Sequence, residues 1–219
     1  MGQKIDLLVN YPRPKRNVEE RGREKTEADR QIARQFGRDF FDGDRRHGYG
    51  GFNYHPRFWQ PVVPTLQQHF HLKADDSLLD VGSGKGFMLH DLAAMIPGLV
   101  VKGIDVSSYA IENTIDDMKP HVQVADAKNL PFPDKSFDVV IAVNTVHNLD
   151  RADCARALRE IERIARRGAF VTVDAYGNDD ERERMTAWNL TGKTIMSTDE
   201  WPKFFAESGY SGDYYWFIP

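Results

Sequence analysis

Leu78-Leu79-Asp80-Val81-Gly82-Ser83-Gly84-Lys85-Gly86 runs from an apolar strand into a turn with glycine at alternate positions, and the ten residues that follow, FMLHDLAAMI, have helical character. Glycine has no Cβ and tolerates positive φ, so such a turn lets backbone N–H groups come close to a ligand at the start of a helix. The spacing excludes one reading. A dinucleotide turn wants G-x-G-x-x-G, whereas this one is D-x-G-x-G-x-G with an acid two residues before the first glycine, which disfavours a dehydrogenase. Taken alone, the turn is also what a tight strand-to-helix connection looks like, so its neighbours decide.

Outward from the turn, strands and helices alternate. The pattern predicts strands at Ser77–Val81, Val100–Asp105, 122–125, Phe137–Val143 and 169–174, with helices at 86–95, 108–118, 152–166, 179–187 and 198–208 and a final strand at 212–218. That order gives an α/β, doubly wound, mostly parallel sheet with helices on both faces. In such sheets ligands bind beyond the carboxyl ends of the strands. The second strand ends in Asp105, placed where one carboxylate can accept from both hydroxyls of a ribose. The third ends in Asp126-Ala127 and the fourth in Asn144-Thr145-Val146-His147-Asn148.

These residues resemble the class I S-adenosylmethionine-dependent methyltransferases, of the small stand-alone bacterial type. The matching pieces are LLDVGSGKG at 78–86, GIDVSSYAIE at 103–112, VADAKNLPFPDKSFDVVIAVNTVHNL at 124–149 and TDEWPKFFAESGY at 198–210, in the family's order and spacing. The resemblance implies a Rossmann-like fold with an N-terminal helical lid, S-adenosylmethionine as cofactor, and a role for each matching position. Gly82 and Gly84 approach the methionine moiety, with Ser83 between them and Asp80 supporting the turn. Asp105 holds the ribose hydroxyls, and Val106 follows it among the cofactor contacts. Asp126 takes the adenine amino group, the Ala127 N–H an adenine ring nitrogen, and the Asn144 carbonyl the cofactor's amino group. Read on their own, Asp105 is also a helix N-cap and Asp126 a loop acid.

Methyl transfer from a sulfonium is an in-line displacement that needs water excluded, the acceptor atom aligned at about 3 Å, and a proton removed from a hydroxyl or ammonium acceptor. His147 is the first candidate base, since histidine titrates near neutrality; a substrate-positioning or structural histidine is the alternative. Asp174 and Tyr176, ending the fifth strand, are the next catalytic candidates. Residues 49–59, YGGFNYHPRFW, form an aromatic segment hinged by Gly48, Gly50 and Gly51, and supply Tyr49, Tyr54 and Arg57 as lid or substrate residues together with Asn148 and Trp188. Aromatic faces attract a sulfonium or an alkylated ammonium, but the same segment also reads as a hydrophobic clamp on the sheet. His69 and His71 lack nearby acids and read as surface histidines, so no metal is expected.

At 219 residues with 41% hydrophobic content, the chain is long enough for one full α/β domain, and no apolar run reaches the length of a membrane span. The domain reading is an arm, helix and lid segment over 1–60, followed by the methyltransferase domain over 61–219. Within the first part, residues 1–25 read as an extended arm, a helix starts at Thr26-Glu27-Ala28-Asp29 and runs to Phe41, and a second helix spans 61–70. Cys154 is the only cysteine, and with no secretory or myristoylation signal at the start it points to a cytoplasmic protein. Residues 1–46 carry 12 Lys and Arg against 9 Asp and Glu, and the remainder 17 against 24. An acidic body disfavours nucleic acid as partner.

The expected activity is therefore methyl transfer to a small-molecule acceptor, an O- or N-nucleophile of a sugar derivative, amino acid or natural-product intermediate. A protein or RNA methyltransferase and a non-catalytic S-adenosylmethionine-binding module are the alternatives. The chain departs from the family at its end, where too few residues remain for the usual closing hairpin; an edge left open there would suit a second copy in a homodimer.

Overall fold

The computed structural model describes residues 2–13, 25–50 and 52–218. The proposed hinge Gly51 and most of the second half of the extended arm lie outside them. Seven strands form one sheet in the order β3-β2-β1-β4-β5-β6, with β7 also on β5. The strands are β1 Ser77–Val81, β2 Val100–Asp105, β3 Val122–Val124, β4 Phe137–Val143, β5 Ala165–Tyr176, β6 Met196–Ser197 and β7 Asp213–Phe217. All pairings between these strands are parallel, which fits their continuous apolar runs, since such sheets are buried on both faces.

Alternation along the strands divides the interior into two layers. Leu79, Val81, Val140, Ala142, Val171 and Val173 face one side, where Leu158 and Ile161 of α7 (Arg151–Ile164) and Trp201, Phe204 and Phe205 of α9 (Glu200–Glu207) cover them. Leu78, Val139, Ile141 and Phe170 face the other, under Val63 and Leu66 of α4 (Val63–Phe70) and Leu89 and Leu92 of α5 (Phe87–Met95). Helix α7 carries its apolar residues at 154, 157, 158, 161 and 164 on one face, and its N-cap Asp150 accepts from the Asp153 N–H.

The remaining helices are α1 Glu27–Ala33, α2 Arg38–Asp42, α3 Pro56–Trp59, α6 Ser108–Glu112 and α8 Asp179–Trp188. Several boundaries differ from the sequence reading. The helix expected from Thr26 to Phe41 is two helices, because Phe36 adopts φ 49° between them. The one expected over 108–118 stops at Glu112 and resumes as a 3-10 turn, Asp116–His121, that contains Pro120. The helix expected from residue 61 starts at Val63, preceded by the separate turn α3. Strand β5 is twice as long as expected, and the two-residue β6 has no periodic signature to find.

The closing strand takes an unexpected place. β7 pairs parallel with Phe170–Asp174 of β5, while β6 pairs with the next two residues, Ala175 and Tyr176. No second copy is needed to cover the outer edge at Tyr214: its N–H donates to the Gln3 carbonyl and its carbonyl accepts from the Ile5 N–H, at 3.1 and 3.0 Å. The N-terminal arm is thus an added edge, with Leu7 buried in the second core layer. Of the two histidines read as surface residues, His71 is exposed in a left-handed helix cap. His69 is half-buried instead, with Nε2 2.7 Å from the Asp213 carboxylate.

Candidate active site

The carboxyl ends of β1, β2, β4 and β5 converge on one rim. At β1, Gly82 and Gly84 take φ of 86° and 53°, and the Gly82 and Ser83 N–H groups donate to the Ile104 carbonyl at 2.8 and 2.9 Å. The Asp105 carboxylate ties the turn to β2: Oδ2 accepts from the Gly84 N–H at 2.8 Å and Oδ1 from the Ser107 N–H at 2.9 Å. The Val106 N–H is a third backbone donor to this carboxylate, which keeps one lone pair for a further donor. Burial raises Asp105, and its backbone N–H donors oppose that shift. Asp80, beneath the turn, is pushed up to about 8, first by burial and then by the neighbouring Asp105 charge. Val106 is 58% exposed, leaving an apolar surface beside Asp105 on which a flat base can lie.

The turns after β1 and β4 abut. A Cβ on Gly82 would come 2.1 Å from Thr145 Oγ1, so only glycine fits there. Asn144, at φ 51°, donates its N–H to Thr172 Oγ1 at 2.9 Å and accepts from the Thr172 hydroxyl at 2.8 Å. Its carbonyl accepts from Asn148 Nδ2 at 3.1 Å, which gives Asn148 a supporting place. Asp126 caps its own turn through the Lys128 N–H and lies 3.4 Å from Lys128 Nζ. Ala127 packs beside it on the core.

His147 follows in a one-turn 3-10 segment, Val146–Asn148. Its Nε2 is 3.4 Å from Asp174 Oδ2, and its buried Nδ1 has no hydrogen-bond partner among the described residues. The His147 carbonyl accepts from the Lys193 and Thr194 N–H groups at 2.9 Å, fixing the turn from the far side. Burial raises the Asp174 carboxyl, while the His147 and Lys25 charges pull it back down.

Above this pair lies the segment before the sheet. Tyr49 Oη accepts from the Leu190 N–H at 2.8 Å, and the Tyr49 and Trp188 ring centroids are 5.9 Å apart. Burial, and then the Asp174 charge, push Tyr49 up to about 12. On the other side of the rim, Lys85 Nζ bonds both Asp42 and the Phe52 carbonyl, and Tyr109 donates to Asp42 at 2.8 Å. Residues 25–50 therefore strap the glycine turn to the chain beyond β5.

Sequence-selected residues separate here into two groups. Tyr49, Asn144, His147, Asn148, Asp174 and Trp188 come together on the β4–β5 side. Tyr54 does not join them: its hydroxyl donates to buried Asp91 on α5 at 2.7 Å. Arg57 is exposed, over the Phe58 ring. Tyr176 is half-buried with Arg182 over its ring. Thr172, Thr145, Lys85 and Lys25 were missed. Thr172 could have been found, since it lies two residues before Asp174 and so on the same face of the strand; Lys85 and Lys25 act across 43 and 163 residues, which no local pattern reveals.

Comparison with known proteins bears on this architecture. Residues 79–173 match the family model described as a methyltransferase domain. Over that stretch the chain is similar to a methyltransferase domain. It is 29% identical over 182 residues to the 27-O-demethylrifamycin SV methyltransferase of Amycolatopsis mediterranei, covering 73% of this chain and 66% of that one. Across the curated relatives matched, the alignment spans 29–66% of their own length. Among solved structures, the YcgJ protein of Bacillus subtilis shares the fold with TM-score 0.55 at 20% identity, over 67% of this chain and 66% of that one. The [4+2]-cyclase SpnF shares it with TM-score 0.56 at 22% identity, over 73% and 60%. No helix among the described residues is long and apolar enough to cross a membrane.

Proposed function

We propose that the protein transfers the methyl group of S-adenosylmethionine to an O- or N-nucleophile of a small polar metabolite, a sugar derivative, amino acid or natural-product intermediate. The observation that carries this reading is the buried His147–Asp174 pair, two residues along the chain from the point where Thr145 touches the glycine turn. It sets a base beside the surface that suits the cofactor.

The residues present suit that cofactor. A glycine turn at the start of α5 and an Asp105 carboxylate with a lone pair to spare beside exposed Val106 can accept a nucleoside with an amino-acid tail. Asp105 would hold the ribose hydroxyls, Val106 the face of the base, Asp126 and the Ala127 N–H its edge, and the Asn144 carbonyl the amino group. When bound, the cofactor supplies a methyl group on an electrophilic sulfonium. The chain's own work is to position and deprotonate the acceptor. Asp174 holds His147 in place, and His147 is the group set to take the substrate proton. Tyr49 and Trp188, packed together on the same side of the rim, keep water from it.

Calorimetry on the purified protein tests the reading. S-adenosylmethionine and S-adenosylhomocysteine should both bind, and NAD should not. Tight NAD binding with no response to either methionine nucleoside would sink it. A screen of metabolite pools with labelled methyl donor then identifies the acceptor; transfer only to protein or RNA would overturn the small-molecule reading.

A further inference from the structure

The face of the site next to His147 already holds a cation, and it belongs to the chain itself. Lys25 Nζ lies 4.4 Å from the Trp188 ring centroid and 5.4 Å from that of Tyr49, and it donates to the Trp188 carbonyl. Its charge also acts on the buried Asp174 carboxyl. Two aromatic faces and a carbonyl oxygen around one position form a site for an ammonium group: the ring quadrupoles attract positive charge, and the carbonyl accepts an N–H.

The backbone that carries Lys25 does not depend on this ammonium for its place. Thr26 and Asp29 close a capping box at the start of α1, Asp29 bonds His47 at 3.1 Å, and Arg30 Nε donates to the Asn189 carbonyl at 3.1 Å. The Lys25 side chain has four methylenes of reach. It can withdraw while the strap stays docked.

Resting on the methyltransferase reading above, we propose that the cage of the Tyr49 and Trp188 rings and the Trp188 carbonyl is the acceptor subsite, that Lys25 fills it as an internal stand-in, and that the acceptor is an amine, which enters as its ammonium and displaces Lys25. His147, beside Asp174, then takes one proton from the bound ammonium. The freed nitrogen lone pair forms the C–N bond as the C–S bond of the sulfonium breaks and its electron pair stays on sulfur. The products are the methylated ammonium, a thioether, and a proton on His147 that passes to solvent.

The test uses tetramethylammonium as probe and the full chain saturated with S-adenosylhomocysteine, which carries no sulfonium. Lys25→Met, neutral and similar in size, should bind tetramethylammonium at least tenfold more tightly than the wild type; Lys25→Arg should not gain, and adding Trp188→Leu to Lys25→Met should abolish the gain. Uncharged tert-butanol should bind neither form. An intact Lys25→Met variant that binds S-adenosylhomocysteine normally yet gains nothing for tetramethylammonium overturns the proposal, and so does an equal gain for tert-butanol. A gain that vanishes when S-adenosylhomocysteine is added would assign the cage to the cofactor and overturn it as well. Should Lys25→Met not fold, Lys25→Gln serves in its place. Failure of the wild type to bind S-adenosylhomocysteine at all would strike the methyltransferase reading instead.

Discussion

Nε2 of His147 lies 3.4 Å from Oδ2 of Asp174, and both side chains are buried. The contact joins the turn after β4 to the end of β5, two elements that both border the rim. A buried imidazole beside a carboxylate is held in place, and the charge it gains on taking a proton is stabilised.

His147→Ala should therefore slow turnover by about 10²-fold or more while leaving S-adenosylhomocysteine affinity nearly unchanged. Asp174→Asn should lower turnover in the same direction, because a neutral amide does not stabilise the positive charge His147 gains on taking a proton. Single-turnover kinetics beside calorimetry separates the two effects. A His147→Ala protein with wild-type turnover would make this histidine structural.

Asp105 is argued differently, since its carboxylate organises the turn as well as facing the ligand. Asp105→Ala removes the acceptor of the Gly84 and Ser107 N–H groups and should weaken cofactor binding by roughly 1.5–3 kcal/mol, the range for hydrogen bonds to a charged group. Unchanged affinity in calorimetry would take Asp105 out of the site.

Much of this rim was legible in the sequence, and the reason is local. The ends of β1, β2 and β4 fall at the expected residues because the strand-forming runs stop there at Gly82, Asp105 and Asn144. The strap was only half legible. Its aromatics were visible, but whether a ring faces Trp188, as Tyr49 does, or Asp91, as Tyr54 does, is decided by a chain far away in sequence. The edge at β7 was misjudged for a similar reason: Gln3 and Ile5 pair with Tyr214 across more than two hundred residues, and short polar arms carry no strand pattern.

Asp80 links the site to stability. Its folded pKa of about 8 stands above the ordinary 3.8, so the folded state binds a proton that the unfolded state releases between those values. Stability from this group is complete below about pH 4 and is lost as pH rises through 8. Asp80→Asn should therefore raise the melting temperature of the ligand-free protein at pH 8 relative to wild type, with the gap closing toward pH 4. Melting curves across that range check the sign; a gap that widens on acidification would contradict it.

Gly82→Ala tests the contact between the two turns. Its φ of 86° and the 2.1 Å approach to Thr145 Oγ1 predict a loss on the order of 2–4 kcal/mol, combining a left-handed alanine with local overpacking. Thr145→Ala in the same chain should recover most of the overpacking part, since only its Cβ, 2.9 Å from the added methyl, still crowds it. Denaturant unfolding of the single and double variants measures both parts, and full recovery would show that the backbone is unstrained.

Tyr49 and Tyr54 sit five residues apart on one segment, yet they make different contacts, and the difference predicts different phenotypes. Tyr49 meets Leu190 and Trp188 beside His147 and Asp174, so Tyr49→Ala should cut turnover and expose residues 25–50 to protease even with S-adenosylhomocysteine bound. Tyr54 bonds Asp91, whose other carboxylate oxygen already has no partner among the described residues. Tyr54→Ala leaves a buried carboxylate with neither oxygen bonded to a side chain, which costs about 1–3 kcal/mol or more in stability, while turnover at low temperature should stay near wild type. In the wild type, cleavage within residues 1–59 should be slowed strongly by S-adenosylhomocysteine, because the ligand would lie under the strap that Lys85 and Asp42 anchor. Equal cleavage with and without ligand, together with full activity in Tyr49→Ala, would reduce the segment to a hydrophobic clamp.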